Sequence, residues 1–224
     1  MVSRNEESTE EKTAVGNGET ITVYSDYVCP FCYLGRKSLE KYREERAAEL
    51  EIDWHPFDLR AQKRGPDGEI DGSLDDGKDD AYYEEVQRNV DKLRDRYGAD
   101  EMLDLEEIPE GIDSFDAQVA SLYVASEYPD HWLAFDEAIF VALWVTGRDV
   151  GTIDVLADLA KEVGLDPDEI RAAVTDETYR DRLREAFEEA QRHGVTAVPT
   201  FASGEHAARG AVPPEQLERL VDGT

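Results

Sequence analysis

TITVYSDYVCPFCYLGRKSLEKYREERAAEL, residues 20–50, decides the fold. Thr20 to Ser25 is β-branched and aromatic, bounded by Gly18 and Asp26, and predicts a strand. After a short loop the segment from Cys29 turns helical, with Leu34, Leu39 and Tyr42 near one stripe and charge elsewhere. Glu51 to Leu59 (EIDWHPFDL) alternates Ile52, Trp54 and Pro56 with polar neighbours and predicts a second strand, Pro56 lying near its end or at an edge. Strand, helix, strand in this order calls for a right-handed βαβ crossover with CPFC at the strand-to-helix junction.

Beyond it, residues from about Ala61 to Asp80 are rich in Gly and Asp and read as a loop. Helical stretches follow. DDAYYEEVQRNVDKLRDRYG (79–98) places Tyr82, Val86, Val90 and Leu93 on one face and stops at Gly98. SFDAQVASLYVASEYPD (114–130) and HWLAFDEAIFVALWVTG (131–147) are apolar on more than one side and predict a buried pair. Asp166 caps a further helix with Pro167 at its first position, and Leu165 and Ile170 are spaced as a hydrophobic staple. After ETYRDRLREAFEEAQRHG (177–194), VPTFASG and EHAARGA read as a hairpin, and Pro214 opens a last helix with Leu217, Leu220 and Val221 on one face. The fold class is α/β: a helical insertion between β-α-β and β-β-α halves. The expected division is an acidic disordered leader over 1–18, a core over 19–60, loop and insertion over 61–194, and core again over 195–224.

The chemistry sits at the only two cysteines. With Cys29 at the N-cap, Pro30 takes the first helical position, where its missing N–H costs nothing. The Cys29 sulfur then stands where a cap accepts from the amides of Phe31 or Cys32, and the positive helix end favours its thiolate. Residues at i and i+3 are helical neighbours, close enough for a disulfide. Cys29 is therefore the attacking thiol and Cys32 the resolving thiol. Phe31 cannot donate to a thiolate. Asp26, three residues before Cys29, is a candidate proton relay, although an Asp in such a loop commonly just satisfies backbone amides. Arg36 and Lys37 read as solvent-facing. Pro199 follows Val198 at the start of the hairpin; the sequence leaves its cis and trans forms open.

A zinc site needs about four ligands. His55, His131, His193 and His206 are scattered, and a set of two cysteines and two histidines lacks the usual spacing, so neither metal nor cofactor is expected. His193 reads as a helix-end residue complementing the dipole, and Trp132, Phe135, Phe140 and Trp144 as core.

The formal net charge is -29, from 53 acidic against 24 basic residues, which disfavours nucleic acid and anionic membrane as partners. The carboxylates are spread over the helices as a solvated acidic surface, and Arg outnumbers Lys, a pattern of proteins that work in high salt; the alternative is an acidic face that recruits cationic clients. No segment reaches the length of a membrane span, and the first residues lack a secretory pattern, so the expected location is the cytoplasm. In that reducing compartment two thiols three residues apart point to redox chemistry rather than to a staple.

Taken in order, YSDYVCPFCYLG, WHPFDL, SFDAQVASLYVA, ALWVTGRDVGTIDVLADLAKEVGLD, HGVTAVPTF and RGAVPPEQL resemble the DsbA family of thiol–disulfide oxidoreductases, specifically its FrnE-like branch. The resemblance runs from about Ile21 to Val221. It implies a thioredoxin-like core with a helical insertion, an exposed nucleophile at Cys29, a buried resolver at Cys32 and a cis-proline at Pro199. A cis-Pro199 would bring a strand end beside the CPFC and leave the Val198 backbone free to pair with an extended client; Phe31 and Pro30 are the further candidate substrate-binding residues. The partners would be protein clients bearing disulfides or thiols, with glutathione or another small thiol as a further partner. The chain departs from the periplasmic members, which carry a signal peptide and a His between the cysteines.

Two other readings compete. Glutathione transferases of the kappa class and 2-hydroxychromene-2-carboxylate isomerases share the layout but activate glutathione with a hydroxyl, which the intact pair argues against. The other is a client-binding chaperone without redox chemistry.

Overall fold

The computed structural model describes residues 19–66, 68–74 and 77–223. The expected 1–18 leader lies outside the described residues.

The opening βαβ unit forms as its pattern requires. Strand β1 (Glu19–Ser25) pairs in parallel with β2 (Leu50–Pro56) across helix α1 (Pro30–Glu45), with Ile21 opposite Ile52 and Ser25 opposite Pro56. The second strand ends at Pro56 rather than Leu59. There the Phe57 amide donates to the Ser25 carbonyl, and the Leu59 amide turns to a side chain instead of a strand. In sequence between β2 and the hairpin come α2 (Asp80–Tyr97), α3 (Phe115–Glu127), α4 (Pro129–Trp144), α5 (Ile153–Glu162), α6 (Pro167–Thr175) and α7 (Glu177–Arg192). The hairpin β3 (Thr200–Ser203) and β4 (His206–Arg209) then joins the sheet, and α8 (Pro214–Asp222) follows. The strand order is β2-β1-β3-β4, with β3 antiparallel to both its neighbours.

Successive side chains of β1 point to opposite faces. Ile21 packs with Leu39, Tyr42, Phe201 and Leu217 beneath α1 and α8. Tyr24 faces the other way, toward α7. A larger core joins the dithiol end of α1 to the helices, and Trp132, Phe135, Phe140 and Trp144 are all buried in it. The cap at Asp166 accepts from the Asp168 amide, and the staple residues Leu165 and Ile170 are both buried. On α2 the expected stripe shrinks: Val90 is buried, Val86 and Leu93 are half-buried, and Tyr82 is exposed, its ring against Tyr83. Helix α2 packs against α1, and its first residues, 81–85, are exposed. The Gly- and Asp-rich segment carries a short 3-10 turn (Ala61–Lys63), and Arg64 ties it down through Asp58 (2.6 Å) and Asp113 (2.7 Å).

Candidate active site

Cys29 is the N-cap of α1 and Pro30 its first residue. The Cys29 carbonyl accepts from the amides of Cys32 (3.0 Å) and Tyr33 (3.4 Å). Its sulfur makes no capping hydrogen bond, against expectation. Instead the thiol donates to the carbonyl oxygen of Val198 at 3.5 Å, 169 residues away in sequence. That contact suits a thiol and not a thiolate, so ionisation would release the sulfur from Val198.

Cys29 is also buried, at 3% exposure, where the resemblance implies an exposed nucleophile. The Val198 carbonyl and the apolar cluster around the pair cover it. Cys32 is buried as well. Burial pushes its thiol well above the ordinary value; the neighbouring Cys29 sulfur adds to this, and the charge of Asp26 adds again. Cys32 thus keeps its proton until something nearby takes it.

The Val198–Pro199 peptide bond is cis. Pro199 reaches the helix through Gly35, one turn after the cysteines: a Cβ on Gly35 would lie 3.0 Å from Pro199 Cγ and 3.2 Å from Phe201 Cζ. The Pro199 carbonyl accepts from the Gly210 amide, which fixes the loop against the hairpin. The CPFC helix, the cis-proline and the sheet are therefore packed as one body. Phe31 and Pro30 are half-buried at the rim.

Asp26 is 1% exposed. One carboxylate oxygen accepts from Ser114 Oγ (2.5 Å) and the Val28 amide (3.2 Å), the other from the Leu59 amide (2.9 Å). It does what a loop Asp commonly does, holding two amides, yet its burial makes it more than that. Desolvation raises its pKa from 3.8 to about 6, against the lowering by those hydrogen bonds. A carboxyl that titrates near neutrality, coupled electrostatically to Cys32, can exchange a proton with it. Ser114, the partner that reading the sequence missed, stands at the start of α3 within SFDAQVASLYVA. Nothing local in that segment marks it, because its contact with Asp26 spans 88 residues.

A second buried network holds the loop before Cys29. The Tyr27 hydroxyl lies 2.7 Å from Ser121 Oγ and 3.1 Å from Asp136 Oδ1, and the Trp144 indole donates to the Tyr27 carbonyl at 2.8 Å. Asp136 in turn accepts from Arg36 Nε at 2.8 Å. Arg36 is therefore not a solvent-facing residue: it also donates to Leu133 O and pairs with Glu40, and these groups hold its guanidinium above its ordinary value despite burial. The helical i+4 position from Cys32 turns it toward α4 rather than outward. Lys37 bridges Glu40 and Glu101 at 3.8 and 3.6 Å.

Away from the thiols, His193 caps α7, as its place at a helix end suggests, and binds the Tyr24 hydroxyl at 3.0 Å. His131 and His206 are exposed. Among the described residues, no three His, Cys, Asp or Glu side chains are grouped as metal ligands, and no helix is long and apolar enough to cross a membrane.

Comparison with known proteins agrees with this geometry. The model of the DSBA-like thioredoxin domain matches residues 20–222. An uncharacterised protein of Bacillus subtilis (strain 168), YwbO, is 30% identical over 202 residues, 90% of this chain and 94% of its own length. The crystal structure of a putative protein disulfide isomerase from Nitrosomonas europaea superposes with a TM-score of 0.71 at 19% identity, covering 92% of this chain and 97% of that one. A 2-hydroxychromene-2-carboxylate isomerase superposes with a TM-score of 0.73, also at 19% identity, over 91% and 93%.

Proposed function

The chain belongs to the DSBA-like thioredoxin domain family, and from that premise we propose that it is a thiol–disulfide oxidoreductase that exchanges disulfides with protein clients through Cys29 and Cys32. The observation that carries this reading is the placement of the two thiols in the first turn of α1, opposite the Val198–Pro199 loop and beside a buried acid.

The Cys29 thiolate attacks one sulfur of a client disulfide. A Cys29–client disulfide forms, and the client's other sulfur leaves as a thiolate that takes up a proton. Asp26, as carboxylate, receives the proton of Cys32. The Cys32 thiolate then attacks the Cys29 sulfur, closing Cys29–Cys32 and expelling the second client thiolate. The client gains two electrons and the dithiol loses them; the reverse sequence oxidises a client dithiol. Val198, Phe31 and Pro30 line the approach to Cys29.

We assign the reaction to the cytoplasm, where two cysteines and no others serve exchange rather than a structural framework. Likeness to the isomerase concerns the fold alone, and the dithiol distinguishes the readings. Cys32→Ser cannot resolve the intermediate, so incubation with a disulfide-bonded protein should accumulate a mixed disulfide at Cys29 that dithiothreitol releases. Absence of any adduct, together with glutathione transfer that survives Cys32→Ser, would support the transferase reading. Suppression of aggregation by a variant lacking both thiols, without exchange in the native protein, would support a chaperone.

A further inference from the structure

Beside the cysteines a groove of about 710 Å³ runs between α2 and the turn after β4. Phe31, one of the two residues between the cysteines, lines it together with Leu93 of α2 and with Gly210 and Ala211 of the turn after β4. That is the same turn whose Gly210 amide holds the Pro199 carbonyl. On α2 the groove face is built at helical spacing: Asn89, then Lys92 and Leu93, then Arg96. The Tyr97 hydroxyl donates to the Ala211 carbonyl at 2.6 Å and fixes the width.

The charge of this groove opposes that of the protein. The chain has a net charge of -29, yet among the described residues no carboxylate lines the groove. Lys92 and Arg96 are exposed, and among the described residues neither forms an ion pair with a carboxylate. Arg94, two residues from Arg96 and turned away from the groove, is by contrast paired with Asp91 and Asp104. Two cations without a carboxylate partner among the described residues therefore line a groove that also holds Leu93 and Phe31, the latter next to Cys32 in sequence.

We infer that this groove is a specificity site for the client, taking an extended peptide segment that carries Asp or Glu close to its reacting cysteine. The acidic side chains pair with Lys92 and Arg96 while an apolar neighbour rests on Leu93 and Phe31. Elsewhere on the surface the same segment meets carboxylates and is repelled, so the groove also sets the orientation in which the client disulfide arrives. This inference rests on the dithiol reading above and adds the class of client to it.

The test uses the full chain and two capped peptides with the same disulfide, one with Glu on both sides of the cysteine and the other with Gln. Hydroxyethyl disulfide, small and uncharged, serves as the reference substrate. At about 0.1 M salt the native protein should reduce the Glu peptide with a kcat/KM about five- to tenfold higher, as two exposed ion pairs allow. The preference should fall away toward 1 M salt, where charges are screened within about 3 Å. Lys92→Gln/Arg96→Gln should erase the preference and leave hydroxyethyl disulfide unaffected; Lys92→Arg/Arg96→Lys should retain it. Equal rates for the two peptides, or a preference unchanged in the Gln double variant, would overturn the inference. So would a preference confined to glutathione disulfide over its ethyl ester. Failure to reduce hydroxyethyl disulfide at all would instead count against the dithiol reading.

Discussion

Gly35 lies directly under Pro199: a single added carbon on Gly35 would come within 3.0 Å of the proline ring and 3.2 Å of Phe201. The helix that carries the thiols and the loop that faces them are thus in backbone-to-ring contact. Replacing a helical Gly by Ala ordinarily stabilises by about 1 kcal/mol. At Gly35 the crowding should cancel that gain or exceed it, since overpacking costs about 1–3 kcal/mol. Urea unfolding of Gly35→Ala should show stability equal to or below the parent, with slower exchange because the Val198–Pro199 loop is displaced. A clear gain in stability with unchanged exchange would show that the loop yields freely.

Asp26 sets opposite demands on stability and activity. Its folded pKa of about 6 lies above the ordinary 3.8, so the folded state holds the proton more tightly than the unfolded chain. The associated stability is fully present below about pH 4, declines as pH rises through about 6, and is absent above it. About two pH units correspond to about 3 kcal/mol. Asp26→Asn carries no charge but keeps an acceptor on one side only, either for Leu59 or for Val28 and Ser114. Relative to the parent it should gain up to about 3 kcal/mol between pH 4 and pH 8, offset at every pH by the hydrogen bond it loses. Urea melts at pH 4 and pH 8 measure it: the stability difference between variant and parent should move in the variant's favour as pH rises through about 6.

The same substitution should slow exchange. With no carboxylate to take the Cys32 proton, release of the mixed disulfide should fall by about 10²-fold, within the range of general base catalysis. The inflection near pH 6 in the rate should also disappear. Stopped-flow measurement of resolution from pH 5 to 8 separates this from slower attack by Cys29. A retained inflection would remove Asp26 from the proton path.

Arg36 and Asp136 pair between α1 and α4, and removing Arg36 leaves the buried Asp136 carboxylate with the Tyr27 hydroxyl but no cation. Arg36→Met should cost about 3–5 kcal/mol, and Arg36→Met/Asp136→Leu less than the single change, because the double change leaves no orphan. Denaturant midpoints of the two single variants and the double variant give the coupling. Strict additivity would mean that the pair contributes nothing.

What could be read from the chain was what local pattern encodes. CPFC following a strand, proline at the first helical position, the Asp166 cap and the Gly98 stop are each short-range signals, and each lies where expected. The failures are contacts between distant segments. Cys29 turns its sulfur to Val198, 169 residues away, instead of to its own helix; Arg36 faces Asp136, 100 residues on; Asp26 is buried by Ser114. Charge at a helical position marks it as polar, but whether it meets water or a buried acid depends on which helix arrives opposite. The groove on α2 belongs to the same class: Leu93 shows in the periodicity, but that Asn89, Lys92 and Arg96 share a groove with the turn after β4 shows only once that turn is placed against the helix.

The central claim is that Cys29 and Cys32 form a working redox couple, and a glutathione redox titration read by thiol alkylation, in high salt, tests it most directly. The expected result is a reversible two-electron transition between two free thiols and an intramolecular Cys29–Cys32 disulfide, whose midpoint assigns the protein to oxidising or reducing its clients. A pair that never closes, or closes without reopening at any glutathione ratio, would contradict the account.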